Sequence, residues 1–137
     1  MKIVVVDCRG GGMGKAIIAK LKDEFPSVDI LAVGTNAVAT SNMLKGGAAD
    51  GATGENAVLY NVSRLTEQDI LIGPIGIMVA NAMSGEVSPA IAHAVSASEA
   101  MTFLIPVSKC KVFVAGAKDM TLSEYVEDII RQIKEVI

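Results

Sequence analysis

The stretch Lys2-Ile3-Val4-Val5-Val6-Asp7-Cys8-Arg9-Gly10-Gly11-Gly12-Met13-Gly14-Lys15 decides the fold. Its first half is a continuous apolar run ending in an acid, the pattern of a short strand covered on both faces. Its second half is a glycine-rich turn. Behind the turn, Met13–Phe25 places Ile17, Ile18, Leu21 and Phe25 on one helical face, and Pro26 stops the helix. Strand, tight turn and helix in that order are the opening unit of an alternating chain.

The alternation continues outward from this unit. Asp29–Gly34 reads as a second strand, and Asn36–Lys45 as a helix that Gly46-Gly47 terminates. Ala48–Ala52 is a short, weak strand, and Thr53 is expected to cap a helix running to Arg64. Asp69–Gly73 is a further apolar strand ending in Gly-Pro. Two apolar helices are expected over Ile75–Met83 and Pro89–Ser98, the second started by Ser88 before Pro89. Met101–Ile105 is the next strand, with Val112–Val114 as a possible extra one. The last helix begins at Thr121-Leu122-Ser123-Glu124, spaced as a capping box, and carries one apolar stripe of Leu122, Val126, Ile129, Ile130, Ile133 and Ile137. Alternating strands and helices with right-handed crossovers predict an α/β fold: a three-layer Rossmann-like parallel sheet in order 3-2-1-4-5, with or without one extra short strand, helices on both faces, all within a single domain spanning 1–137.

Composition agrees with one such domain and narrows the partners. Of 137 residues, 51% are apolar but only 4% aromatic, with no Trp, so the core is built from small aliphatic pieces. Twelve Lys and Arg against 15 Asp and Glu leave a net charge of −3, which argues against a general nucleic-acid or acidic-membrane surface. Cys8 and Cys110 are too few for a disulfide framework, and the N-terminus lacks the apolar length of a signal peptide. A cytoplasmic protein is therefore expected. The uncharged run Ile70–Gly85 is broken by Gly73, Pro74, Gly76 and Asn81, so it is not a membrane span.

In sheets of this order, ligands sit at the carboxyl ends of the strands, where strand order reverses beside the first strand. The segments there are Asp7–Gly14, Gly34–Asn36 and Gly73–Gly76. Glycines at 10, 11, 12 and 14 permit a tight turn and close backbone approach, and the helix start behind them offers free N–H groups suited to phosphate. The candidate contacts are Arg9, Gly10, Gly11, Gly12, Met13, Gly14, Gly34, Thr35, Asn36, Gly73 and Pro74. The expected ligand is a small phosphate-bearing molecule, NAD(P) or another nucleotide. The alternative is a tight connection whose glycines serve packing alone.

The subtype stays open. A strict G-x-G-x-x-G needs glycine at 9, where Arg9 stands. The short-chain dehydrogenase spacing keeps Gly12 and Gly14 but has Asp7 and Cys8 in place of its first two members, and no Tyr-x-x-x-Lys follows. A phosphate-binding P-loop matches Gly10–Lys15 in part but lacks the hydroxyl for Mg²⁺ at Ala16. NAD-binding domains place an acid at the end of the second strand to bond ribose hydroxyls. Val33-Gly34-Thr35-Asn36 has none. Thr35 and Asn36 either bond a sugar or phosphate as neutral donors, or cap the helix that follows.

Taken together, Gly10–Lys15, Gly34-Thr35-Asn36, Ala39-Thr40, Met43-Leu44-Lys45, Gly51–Asn56, Ile72–Gly76 and Gly85-Glu86 resemble an uncharacterised bacterial family, the domain of unknown function numbered 3842. The resemblance covers nearly the whole chain. It implies a Rossmann-like fold of unassigned activity and supplies no catalytic residue.

Smaller features carry two readings each. Cys8 ahead of a helix start is either a reactive thiol or a small packing residue. His93 has no second His to make a metal pair, so no metal site is expected. Thr53–Asn56 either caps a helix or faces the same crevice, and Asp7 and Glu86 are the acids available for proton transfer. The expected function is nucleotide or dinucleotide binding, as a sensor or a minimal NAD(P)-dependent enzyme. The alternatives are a P-loop-like phosphate binder and a structural protein with an empty glycine turn. Because the two expected helices between Ile70 and Ser98 are apolar nearly all round, a homodimer or higher homo-oligomer is expected through them.

Overall fold

The computed structural model describes residues 1–107 and 112–137. The elements follow the order β1 (Lys2–Asp7), α1 (Gly12–Glu24), β2 (Asp29–Gly34), α2 (Ala37–Lys45), β3 (Asp50–Thr53), α3 (Glu55–Ser63), β4 (Ile70–Pro74), a 3-10 turn (Ile75–Met78), α4 (Pro89–Ala97), β5 (Met101–Ile105) and α5 (Leu122–Val136). The five strands form one parallel sheet in the order β3-β2-β1-β4-β5. This is the α/β Rossmann-like arrangement expected from the alternation.

The central position of β1 explains its unbroken apolar run. It pairs with β2 on one side and β4 on the other, and Ile3, Val4, Val5 and Val6 are wholly buried. Alternate side chains feed two cores. Ile3 and Val5 meet Ile17, Ile18 and Leu21 of α1, Met43 of α2, and Ile129 and Ile133 of α5. Val4 and Val6 meet Val58 and Val62 of α3, Ile77 of the 3-10 turn, and Ile91 and Val95 of α4. At about 1.5–3 kcal/mol per fully buried aliphatic side chain, both faces of β1 contribute strongly to stability.

Three local expectations are corrected. The helix expected over Ile75–Met83 is only the 3-10 turn Ile75–Met78. Beyond it the chain doubles back: Asn81 N–H donates to the Val87 carbonyl at 2.7 Å, and Val87 N–H returns to Ala82 at 3.2 Å. Ala82 and Val87 are thereby sealed into the second core, which a continuing helix would not allow. Thr53 does not cap α3. It is the last residue of β3 and donates its hydroxyl to Thr40 at 2.8 Å, leaving Gly54 at the cap position. Val112–Val114 forms no strand. It follows β5 too closely for a parallel crossover, which takes a dozen or more residues, and Phe113 is 88% exposed.

The apolar side chains of Ile75–Ser98 are largely interior, while Met78 is 40% exposed, and the exposed residues of α4 are Pro89, Ala90, His93, Ser96 and Ala97. Among the described residues, no helix is long and apolar enough to cross a membrane. Cys110 lies outside the described residues.

Candidate functional site

Where β1 ends, Asp7 turns its carboxylate beneath the start of α1. One oxygen accepts the Cys8 N–H at 2.8 Å, the other the Gly14 N–H at 2.7 Å. Gly14 is the third residue of α1, and its N–H has no acceptor within the helix. The strand therefore caps the helix that follows it. Burial pushes the Asp7 pKa above the usual carboxylate value, assisted by the Glu86 charge, while the two N–H bonds pull it down less strongly.

The glycines of the turn divide into two kinds. A Cβ on Gly11, which has φ 71°, would lie 2.5 Å from the Ala39 carbonyl oxygen, and one on Gly14 would meet Met43 Sδ at 2.5 Å and Asp7 Cβ at 3.0 Å. These two glycines let α1 pass close to α2 and β1. Gly34 is likewise buried against Thr40, and a Cβ on Gly73 would meet the Val6 carbonyl at 2.5 Å. Over Gly10 and Gly12, by contrast, a Cβ would meet nothing within 4 Å. Neither has a positive φ, so neither the backbone nor the packing demands a glycine there. The N–H groups of Gly10, Gly12 and Met13 find no acceptor among the described residues.

Thr35 and Asn36 follow β2 beside the turn, and the structure separates their roles. Asn36 caps α2, its Oδ1 accepting the Ala39 N–H at 2.9 Å, and its Nδ2 donates to the Arg9 carbonyl at 2.9 Å. Thr35 does not cap. Its hydroxyl donates to Glu86, whose Oε1 also accepts Asn36 Nδ2 and the Arg9 N–H, each at 2.7 Å. Glu86 thus arrives from the loop between β4 and α4 and lies across the ends of β1 and β2. Although burial acts to raise its pKa, these bonds and the Arg9 charge together hold it below the usual glutamate value. The loop that delivers it is left-handed at Asn81 (φ 65°), Met83 (58°), Ser84 (58°) and Gly85 (87°), and Arg9 is left-handed too (55°).

On the β4 and α5 side of the turn is a crevice of about 370 Å³, lined by Asp7–Met13, Pro74, Met83, Val107 and Leu122. Arg9–Met13 and Pro74 thus share one concavity, whereas Gly34, Thr35, Asn36 and Gly73 are not among the residues that line it. A larger groove of about 730 Å³ runs between β5 and α5. Cys8 is an interior packing residue: burial above all, then the Asp7 and Glu86 charges, push its thiol up to about 12. His93 is exposed on α4, and no metal-binding cluster occurs among the described residues.

The sequence offers Asp7 and Glu86 as acids for proton transfer and does not show the three donors that Glu86 meets. The signal that could have found it is its place in a Gly-containing loop after a strand next to β1, since all such loops rise over the same crevice. The model of one family, described as Domain of unknown function (DUF3842), matches residues 2–137. No curated protein and no solved structure matches the chain.

Proposed function

The chain belongs to that family of unknown function, so its own residues must carry the reading, and we propose that it binds a nucleotide or dinucleotide, NAD(P) among them, in the crevice at the end of β1. The observation that carries this is the open space over Gly10 and Gly12, where no packing or backbone demand explains a glycine. Phosphates seated there meet the N–H groups of Gly10, Gly12 and Met13, the positive end of the α1 dipole, and the Arg9 guanidinium. The apolar wall of Met13, Pro74, Met83 and Val107 takes a flat ring. Either a sensor or a minimal enzyme is compatible with such a site. The P-loop alternative gains nothing: Lys15 is exposed on α1, and Ala16 offers no hydroxyl to a metal.

Calorimetric titration with NAD(H), NADP(H), ATP and GTP tests this reading. The wild type should bind at least one with a Kd below about 1 mM, a threshold of about −4.1 kcal/mol. Gly12→Val should abolish binding while leaving the melting temperature nearly unchanged, since its side chain enters the ligand's space and not the protein's. No binding by the wild type, or collapse of the variant, defeats the proposal.

A further inference from the structure

The two edges of the sheet are finished differently. The β3 edge is four residues long, opens on the exposed Asp50 and continues with Gly51, features that discourage further pairing. The β5 edge, Met101-Thr102-Phe103-Leu104-Ile105, carries no charge, glycine or proline. Its ladder to β4 fixes which groups face outward. Met101 N–H donates to the Asp69 carbonyl at 3.2 Å, so Met101, Phe103 and Ile105 bond inward. Thr102 and Leu104 therefore turn their N–H and C=O groups away from the sheet. These groups find no backbone partner among the described residues, and the groove of about 730 Å³ between β5 and α5 runs beside them. Met101 is exposed at the start of this edge, and Val112, Phe113 and Val114 are exposed shortly after its end.

We infer that this edge is an interface with a second copy of the chain: β5 pairs antiparallel with its counterpart about a two-fold axis at Phe103, joining the two sheets into one. The register is self-complementary. Thr102 of each copy lies opposite Leu104 of the other, in hydrogen-bonded pairs that satisfy every outward group of both residues. Phe103 then meets its own counterpart in the close pair between them, on the sheet face that packs against α5, and aromatic pairs across strands are favourable. Sliding the strands by two residues sets Leu104 against Ala100, whose N–H is taken by Ser98 Oγ, or Thr102 against Pro106, which has no N–H. The axis stands normal to the sheet, so both copies of α5 stay on one side and run antiparallel. Glu124 and Glu127, which line the groove near the start of one helix, then lie toward Arg131 near the end of the other.

Light scattering of the full chain at micromolar concentration tests this, and should give twice the chain mass. Thr102→Pro removes one outward N–H per copy and none that pairs with β4. It should keep the wild-type circular dichroism and weaken the dimer by about tenfold or more. Thr102→Val retains the N–H and should remain dimeric. A monomeric wild type overturns the proposal, and so does a Thr102→Pro dimer as tight as the wild type, which would place the interface elsewhere. Residue-resolved hydrogen exchange of the wild type needs no variant, so it decides even where Thr102→Pro does not fold. The Thr102 and Leu104 amides should be protected in the dimer and exchange freely on dilution, while those of Phe103 and Ile105 stay protected throughout. Fast exchange at Thr102 and Leu104 in a dimeric sample overturns the pairing.

Discussion

Among single residues, the glycines of the turn look alike in sequence and differ entirely in the folded chain. Periodicity and spacing locate the turn but carry no information about what surrounds each Cα, so Gly10–Gly14 reads as one motif. In the structure Gly11 is left-handed and pressed against the Ala39 backbone, while Gly12 stands open at the first position of α1. Gly11→Ala should therefore destabilise by about 2–4 kcal/mol, combining left-handed strain with overpacking against backbone that cannot yield. Gly12→Ala should lie within about 1 kcal/mol of wild type, with a gain as the more natural sign because alanine restricts the unfolded chain. Urea unfolding of both variants checks the division. Equal losses would mean that Gly12 also serves the fold, and the open space over it would lose its functional meaning. The roles of Thr35 and Asn36 are undecidable in sequence for the same reason: both are helix-capping types, and only the Ala39 N–H bond to Asn36 Oδ1 tells which one caps.

At the level of whole elements, legibility follows how local the determining interaction is. Strand β1 and helix α5 are readable because their signals are complete within the segment: an unbroken apolar run in one, and a capping box with an apolar stripe in the other. Both halves of that capping box are present, the Thr121 hydroxyl accepting the Glu124 N–H at 3.2 Å and the Glu124 carboxylate accepting the Thr121 N–H at 3.0 Å. Thr121→Ala should cost about 1 kcal/mol, within the 0.5–2 range for such caps, measured as a shift in the urea midpoint at constant m-value. A null effect would show that burial of Val126, Ile129, Ile130 and Ile133 alone holds α5. The Ile75–Met83 segment failed as a helix for the opposite reason. Its apolar content is right, but its conformation is set by Asn81 and Val87 closing a loop and by the second core that takes in Ile77 and Ala82. Tertiary burial overrides a short apolar run whenever a turn can bury the same side chains.

For the molecule as a whole, the sheet order was legible because alternation and crossover handedness leave few arrangements, whereas the electrostatics of the crevice depends on carboxylates that sequence cannot bring together. Across the chain, carboxylates set opposite pH dependences. Asp69, despite the upward pull of burial, is held low by the Thr66 and Lys2 N–H groups and the Thr66 hydroxyl. Glu86 is low for the reasons already given, and Glu124 is low through its bonds to Thr121. Each stabilises the fold above its unfolded pKa, 3.8 for Asp69 and 4.5 for the two glutamates, and that stability is lost as pH falls through the lower folded value. Asp7 runs the other way. Its folded pKa is raised above 3.8, so the native state holds the proton more tightly than the unfolded chain does, and stability declines as pH rises from 3.8 through the folded value. Asp7→Asn removes this contribution, and it also leaves one of the Cys8 and Gly14 N–H groups without an acceptor, a loss of about 1–3 kcal/mol. The variant should therefore be less stable than wild type, with a deficit that shrinks as pH is raised from about 4 to about 7, because only the wild type carries the growing cost of a buried charge. Urea unfolding across that range measures the deficit directly. A deficit that widens with pH would place the Asp7 pKa below its ordinary value, making the carboxylate under α1 a net source of stability and not a charge held at a cost beside the proposed phosphate position.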